Sequence, residues 1–286
     1  MNFSVDQLNL FTLHVGCCHH YGDWNWKNVR SPFSCLYYVT EGTAQVEMPS
    51  GRITLRPGYL YFIPAFTTHS DICDSLFVHY YIHIYEEQKD GMYILDELDM
   101  PVEVKAESGD LELLKRLCYL NPFLKLTDTN PDAYNNHQAL VNNLEMTQRR
   151  TFSDKVESHG ILYILMSRFL KHAKPKVEVK DNRIYQTLTF IRKNLDSPLD
   201  INKLAENACM SKDHFIRIFK RETGETPNMF VTLRKMEKAE LMLITTDQQV
   251  KTIATSLGYD DQSYFNRLFK KNTGITPQQY REKHFK

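Results

Sequence analysis

The sequence lacks any long hydrophobic run. No stretch of about 18 apolar residues is present to span a bilayer, and residues 1–6 have neither the basic start nor the apolar core of a secretion signal. The six cysteines include no Cys-x-x-Cys pair, which fits a reducing compartment better than a disulfide framework. We therefore expect a cytoplasmic protein that does not associate with membranes.

A net charge is also absent, but the charges are unevenly distributed. Residues 1–181 carry a balance of −6, and residues 182–286 carry a balance of +6. Because phosphate neutralisation supplies much of the affinity for nucleic acid, the basic segment is typical of a nucleic-acid-binding domain. The length of 286 residues allows two folded domains, and the charge difference predicts that they have different partners.

Potential metal ligands are clustered at one place only. Cys17, Cys18, His19 and His20 are adjacent in the sequence, and no second cluster with ligand spacing follows. Since adjacent ligands rarely close one tetrahedral site, structural or solvent-facing roles are favoured for these four side chains. No metal site and no cofactor are expected.

Strand-like segments separated by turn residues occupy residues 34–85. Pro57 and Gly58 form one such turn, because proline fixes φ and glycine tolerates a positive φ. Short strands at this spacing predict a small antiparallel barrel or sandwich. Apolar periodicity predicts helices over residues 111–120, 139–147 and 160–170, which would pack on the barrel or against a second subunit.

The predicted strand over residues 76–85 has two different faces, because side chains alternate along a strand. One face is aliphatic, and the other carries Phe77, His79, Tyr81, His83 and Tyr85. The ring-bearing face either lines a pocket for a polar small molecule or is half exposed to solvent, and we favour the pocket.

A repeat near the end of the chain predicts what the basic segment does. Residues 215–227 and 265–277 are identical at eight of thirteen positions. The same supersecondary unit therefore occurs twice. Each copy follows a short helix and a tight turn, at residues 201–210 and 250–258, and this order of elements is the helix-turn-helix pattern. A short charged segment, residues 174–181, is predicted to link residues 1–173 to this second domain, residues 182–286.

The repeat also predicts where each second helix ends. Gly224 and Gly274 are placed to adopt the left-handed conformation after the helix, and Thr-Pro then begins the next helix. The predicted buried stripe is Phe215, Ile218 and Phe219 in the first copy and Phe265, Leu268 and Phe269 in the second. Other positions of these helices then face outward. The predicted DNA-facing set is Lys212, Asp213, Ile216, Arg217, Lys220, Gln262, Ser263, Asn266, Arg267 and Lys270.

These outward residues have different predicted roles. Arg217 and Arg267 are suited to guanine, Gln262 and Asn266 to adenine, and Ile216 to a thymine methyl group. The lysines are expected to contact phosphate, which positions the protein without reading sequence. A helix over residues 228–244, roughly 25 Å long at 1.5 Å per residue, is expected to hold the two units apart on one face of a duplex.

Residues 182–286 resemble the DNA-binding domain of AraC/XylS-type transcription regulators. The resemblance is most specific over residues 258–270, Thr276, Pro277, Tyr280 and Arg281. Residues 55–64 with His69 and His79 resemble the cupin-like N-terminal domain of the same family, and no histidine lies on residues 35–48, where metal-binding cupins carry His-x-His. The implied fold has two domains: an antiparallel cupin-like β-barrel with packed helices, and an all-α domain of two helix-turn-helix units joined by a long helix.

The resemblance implies a regulator, not an enzyme, and commonly an activator. It would bind double-stranded promoter DNA and a small effector such as a sugar, contact RNA polymerase, and form a homodimer. The implied effector-binding residues are Glu41, His69, Ser70, His79 and Tyr81. Two alternatives stay open: a first domain that only dimerises, and a cupin-type metal enzyme that uses His69, His79 and His83.

Overall fold

The computed structural model describes residues 4–87, 93–134, 142–143, 145–146, 149–176 and 179–284. The chain divides into two compact units. We call them the sheet unit, Leu8–Glu87 with Leu98–Lys174, and the helical unit, Pro175–Lys286 with Met1–Gln7 and Gln88–Glu97. No helix within the described ranges is long and apolar enough to cross a membrane.

The sheet unit is built from antiparallel strands. The strands are β1 (Leu10–Tyr21), β2 (Ser34–Gly42), β3 (Ala44–Met48), β4 (Gly51–Leu55), β5 (Tyr59–Ile63), β6 (Ser70–Ile72), β7 (Leu76–Glu86), β8 (Leu98–Asp99), β9 (Glu103–Lys105) and β10 (Lys174–Pro175). One sheet has the order β1-β7-β2-β5-β9, and a second has the order β4-β3-β6. The described strands thus form separate sheets, so the closed cupin-like barrel stays a prediction.

The sheet unit also contains three described α-helices, and the first and third of them pack on β1. They are α1 (Asp110–Leu120), α2 (Pro131–Tyr134) and α3 (Phe152–Leu170). Thr151 caps α3 by accepting the backbone N–H of Asp154 at 3.1 Å. The Arg168 guanidinium donates to the buried Asp110 carboxylate at 3.0 Å, which joins α3 to the start of α1. Most of the predicted helix over residues 139–147 lies outside the described residues.

The helical unit contains seven α-helices in its described part. They are α4 (Asn182–Lys193), α5 (Ile201–Asn207), α6 (Lys212–Thr223), α7 (Pro227–Thr245), α8 (Val250–Ser256), α9 (Gln262–Thr273) and α10 (Pro277–His284). The short segment before β8 also belongs to this unit, because Glu97 pairs with Arg192 at 2.5 Å and Asp96 pairs with Arg234 at 3.3 Å. The boundaries drawn at residues 173 and 182 stay predictions.

Candidate nucleic-acid interface

The first helix-turn-helix unit consists of α5 and α6. Asp200 caps α5 by accepting the backbone N–H of Asn202 at 2.8 Å. The chain then turns through Cys209, which has a φ of 54°, and Met210 donates its backbone N–H to the Ala205 carbonyl at 2.9 Å. A left-handed conformation costs a non-glycine residue roughly 1–2 kcal/mol, so the turn is held against local preference by the packing of the two helices.

The second unit repeats this arrangement with α8 and α9. Gly258 takes the left-handed position with a φ of 75°, and Tyr259 donates its backbone N–H to the Ala254 carbonyl at 2.9 Å. Asp261 then caps α9 by accepting the backbone N–H groups of Ser263 and Tyr264. The tight turn predicted at the end of residues 250–258 is confirmed.

Both recognition helices, α6 and α9, end as the repeat predicts. Gly224 and Gly274 are left-handed, with φ values of 81° and 85°. After them, Thr226 and Thr276 accept backbone N–H groups at the starts of α7 and α10. The predicted buried stripe is confirmed for Phe215, Ile218, Phe219, Phe265 and Phe269, and Leu268 is half-buried.

Seven of the ten predicted DNA-facing residues are exposed and three are half-buried. The exposed residues are Lys212, Asp213, Arg217, Lys220, Ser263, Arg267 and Lys270. Ile216 is half-buried because it packs against the core of the first unit. Gln262 and Asn266 are also half-buried, and the Asn266 side-chain oxygen has no hydrogen-bond partner among the described residues.

Two ring-bearing residues on the recognition helices were not predicted to face DNA. His214 lies one turn before Arg217, and their side-chain nitrogens are 3.1 Å apart. Tyr264 lies one turn before Arg267, whose guanidinium is 5.8 Å from the ring centroid. The two rings occupy matching positions of the repeat. Their fixed spacing of three residues before each arginine is the signal that identifies them.

The second unit is attached to the C-terminal end of α7 by polar contacts. The Tyr280 hydroxyl donates to the buried Glu240 carboxylate at 3.1 Å. The Arg281 guanidinium donates to the backbone carbonyls of Leu243, Thr246 and Gln248. Tyr280 and Arg281, both part of the motif that indicates the family, therefore fix α10 against α7.

In the sheet unit, four of the five residues on the ring-bearing face of β7 are buried, and Tyr85 is half-buried. His79 lies opposite Cys18 of β1 and Val39 of β2, and only 2% of its surface is exposed. Its ring is 4.6 Å from that of Phe77 and 5.4 Å from that of Trp24, measured between centroids. This face is therefore packed with rings and is not half exposed to solvent.

The five predicted effector-binding residues lie in different surroundings. His79 and Tyr81 belong to the buried ring face, and the Tyr81 hydroxyl accepts the backbone N–H of Leu126 at 2.8 Å. His69 is buried on the approach to β6, and Ser70, the first residue of β6, is half-buried. Glu41 is exposed, so the structure does not bring its carboxylate to the buried rings.

Five buried histidines of the sheet unit are held neutral by their burial. Burial lowers the pKa of His14 to about 4 and that of His79 to about 3, with a further contribution to His79 from His20. Burial also lowers the pKa of His20, His69 and His83. The same desolvation raises the pKa of Asp71 to about 8. A neutral imidazole has one donor and one acceptor, and the Nδ1 atoms of His14 and His83 are 3.1 Å apart, so one donates to the other.

The histidines do not form a metal site in the described part of the chain. No group of three or more His, Cys, Asp or Glu residues there is arranged to hold a metal ion. The His69 Nδ1 atom is instead 3.0 Å from the Thr67 carbonyl oxygen. A cupin-type metal enzyme that uses His69, His79 and His83 has no geometric support.

Two similar helix-turn-helix units are joined by α7, and each has an exposed arginine on its recognition helix. This arrangement defines a tandem helix-turn-helix DNA-binding protein. Residues 204–283 match the model of a family described as a helix-turn-helix domain. The multiple antibiotic resistance protein MarA of Escherichia coli (strain K12) is 33% identical over 98 residues, which are 34% of this chain and 77% of MarA. The chain belongs to the AraC/XylS family of transcription regulators.

Other similarities differ in how much of the chain they cover. The arabinose operon regulatory protein of Escherichia coli (strain K12) is 33% identical over 102 residues. This chain therefore spans about a third of that relative's length, 35%. The solved structure of ToxT from Vibrio cholerae covers 96% of this chain and 99% of its own, with a TM-score of 0.51 and 11% identity. That similarity shows the fold over nearly the whole length.

Proposed function

We propose that this protein is a cytoplasmic, sequence-specific regulator of transcription that reads promoter DNA with both of its helix-turn-helix units. The observation that supports this most directly is the matched pair of exposed arginines, Arg217 and Arg267, on two similarly capped helices. Their neighbours differ, since Ile216 corresponds to Asn266 and Asp213 to Ser263. The two units therefore read different bases, and the site for one subunit is an asymmetric pair of half-sites.

The binding site is found by selecting bound DNA from a random pool, with and without candidate effectors. Binding to the selected site, followed by fluorescence anisotropy, should weaken steeply as salt rises. Arg217→Ala and Arg267→Ala should each relax specificity in a different half-site and cost about 1–3 kcal/mol of binding free energy. Lys193→Ala is the matched control, because Lys193 is a basic residue on α4, outside the recognition helices. Equal affinity for selected and arbitrary DNA at the same salt would refute sequence-specific regulation.

We also propose that the sheet unit binds a small polar effector, such as a sugar, at its ring-bearing face. Two buried polar atoms there, His20 Nε2 and His79 Nδ1, have no hydrogen-bond partner among the described residues. Such atoms are costly to bury, and a hydroxyl-rich ligand would supply both partners. The ring of Trp24, 5.9 Å from His20, would report binding through its fluorescence.

A screen of sugars and other polar compounds by thermal shift and tryptophan fluorescence tests the effector proposal. A compound that stabilises the protein should lose its effect in His79→Phe and keep it in His19→Gln, because His19 is exposed on the same strand as His20. If no compound produces a shift, the first domain acts in dimerisation alone.

A homodimer and contact with RNA polymerase complete the proposal. The described helices of the sheet unit expose large apolar side chains, among them Phe152 at 82% and Tyr119 at 75%. Such residues are suited to an interface with a second copy. Sedimentation of the protein with and without its DNA would measure the dimer, and transcription in vitro would show whether the regulator activates.

A further inference from the structure

Lys235 is a buried lysine in the middle of α7, the helix that joins the two helix-turn-helix units. Only 3% of its surface is exposed. Its ammonium group donates to two backbone carbonyls, that of Ser197 at 2.8 Å and that of Leu257 at 2.6 Å. Lysine is almost never buried unless its charge is paired or hydrogen-bonded, so these two contacts account for the position of the side chain.

The two carbonyls belong to different units. Ser197 lies in the turn that leads from α4 into α5 of the first unit. Leu257 follows the last residue of α8, in the turn of the second unit. The Lys235 ammonium also lies 5.2 Å from the centroid of the Tyr259 ring in that same turn. A single side chain of the connecting helix therefore holds one backbone position of each unit.

The backbones of the two units approach each other closely at this point. A Cβ atom added to Gly258 would lie 2.6 Å from the Pro198 nitrogen and 2.7 Å from the Ser197 carbonyl carbon. Gly258 is also left-handed, with a φ of 75°. Glycine at position 258 thus satisfies two conditions at once: the conformation of the turn, and the space for contact with the first unit.

Each unit has its own attachment to α7 apart from Lys235. The first unit packs Phe219 against Phe230 of α7, with ring centroids 5.7 Å apart. The second unit is attached through Tyr280 and Arg281. Loss of the Lys235 ammonium therefore leaves both units joined to α7 and removes the side-chain contact that the two units share.

A buried charged group is not needed for stability, since an apolar side chain of similar volume often packs as well. In several proteins a buried polar group instead fixes the register of packed elements. Burial lowers the pKa of Lys235 to about 8, which shows that the site is unfavourable for charge. Because its two carbonyl partners lie one on each unit, the Lys235 side chain can fix the position of one unit relative to the other.

We propose that Lys235 is a positioning residue for tandem DNA reading: it fixes the distance and angle between α6 and α9 and so sets the half-site spacing that the protein accepts. The inference rests on the proposed function, in which both units read DNA. A change of one base pair moves a half-site by about 3.4 Å along the duplex and rotates it by about a tenth of a turn. A rigid junction is sensitive to such a change, and a loosened one is less so.

The test uses the full chain and the DNA site selected as described above. Lys235→Met keeps the length and most of the volume of the side chain but donates no hydrogen bond, and Lys235→Arg keeps donors for both carbonyls. Affinity is measured by anisotropy for the tandem site, for tandem sites with one base pair inserted or removed, and for each half-site alone.

We expect Lys235→Met to bind the tandem site about tenfold more weakly, because a looser junction lowers the effective concentration of the second unit. Its affinity for each single half-site should stay within about twofold of wild type, its dependence on spacing should be flatter, and Lys235→Arg should behave like wild type. Unchanged affinity and unchanged spacing dependence in Lys235→Met would overturn the inference, as would an equal loss on single half-sites, which indicates a general structural role.

Gly258→Ala perturbs the same junction by steric overlap and leaves Lys235 in place. This variant should also lose affinity for the tandem site but not for single half-sites. If Lys235→Met does not fold, as judged by circular dichroism, Gly258→Ala becomes the test of the inference. Measurements on the wild-type protein distinguish a failure of bivalent DNA reading from a failure of the positioning role of Lys235. If it binds the tandem site no more tightly than a single half-site, bivalent reading fails and the inference fails with it. If its tandem affinity is higher while both variants match it, only the role of Lys235 is refuted.

Discussion

Lowering the pH from 7 to 5 should destabilise the sheet unit, because its buried histidines are neutral in the folded state. The five rings concerned are those of His14, His20, His69, His79 and His83. Their folded pKa values lie below the unfolded value of about 6.5. As the pH falls through 6.5 the unfolded chain binds protons that the folded chain does not, so the free energy of unfolding falls until the folded pKa values are reached.

The size of the effect follows from the shifted groups. With folded pKa values of about 4 and about 3, His14 and His79 each remove about 2 kcal/mol of stability between pH 7 and pH 5. Asp71 acts in the opposite direction. Because its folded pKa is about 8, the folded state binds a proton that the unfolded state does not. Lowering the pH from 7 to 5 therefore raises the contribution of Asp71 to the free energy of unfolding by about 3 kcal/mol. These three groups leave a net loss of about 1 kcal/mol, and His20, His69 and His83 add to that loss.

The two tryptophans of the chain make this measurement selective. Trp24 and Trp26 both lie in the sheet unit, and Trp24 is buried in the ring cluster. Urea unfolding followed by tryptophan fluorescence at pH 7, 6 and 5 therefore reports the sheet unit. Far-ultraviolet circular dichroism is dominated by helices, most of which lie in the helical unit, so it mainly follows that unit in the same samples.

Variants identify the residues responsible. His79→Phe removes one proton-binding site and should reduce the loss between pH 7 and pH 5 by about 2 kcal/mol, whereas His19→Gln should leave the loss unchanged because His19 is exposed. The reasoning is refuted if the free energy of unfolding at pH 5 equals or exceeds that at pH 7.

Three further predictions concern single side chains. Arg281→Ala should lower the stability of the helical unit by about 1–3 kcal/mol, because three backbone carbonyls lose their donor; an unchanged midpoint of urea unfolding by circular dichroism would contradict this. Phe269→Ala should cost about 3–5 kcal/mol through the cavity it leaves, and retention of second-half-site binding at 37 °C would show that α9 does not need this ring. Gly42→Ala should destabilise the sheet unit more than Gly58→Ala in fluorescence-detected urea unfolding. Both glycines have a positive φ, but a Cβ atom at position 42 would overlap the Leu76 carbonyl oxygen while one at position 58 meets nothing within 4 Å. Equal losses would rule out the overlap as the cause.

The sequence alone predicted most of the helical unit, because its signals are local. Helix caps and left-handed glycines depend on residues within one turn of the chain, and the repeat displays each signal twice. The ends of the recognition helices before Gly224 and Gly274 were predicted. The buried stripe of each recognition helix also follows from periodicity, since residues three and four apart share a face.

Contacts between distant residues were not predicted from the sequence. Ile216, placed outward by periodicity, is half-buried because it packs against the core of the first unit. The ring cluster of the sheet unit joins His20 and Trp24 to His79, which lies more than fifty residues away. No local pattern reports such a distance along the chain.

The sequence by itself therefore determined that this protein has a sheet-rich unit followed by two helix-turn-helix units, and which helices are suited to read DNA. The tertiary structure decided that five imidazoles of the sheet unit are buried and neutral, and that Lys235 binds one carbonyl of each helix-turn-helix unit. The physical reason is that caps, turns and amphipathic faces are set by near neighbours. Burial, pKa and the joining of units depend instead on which distant segments pack together.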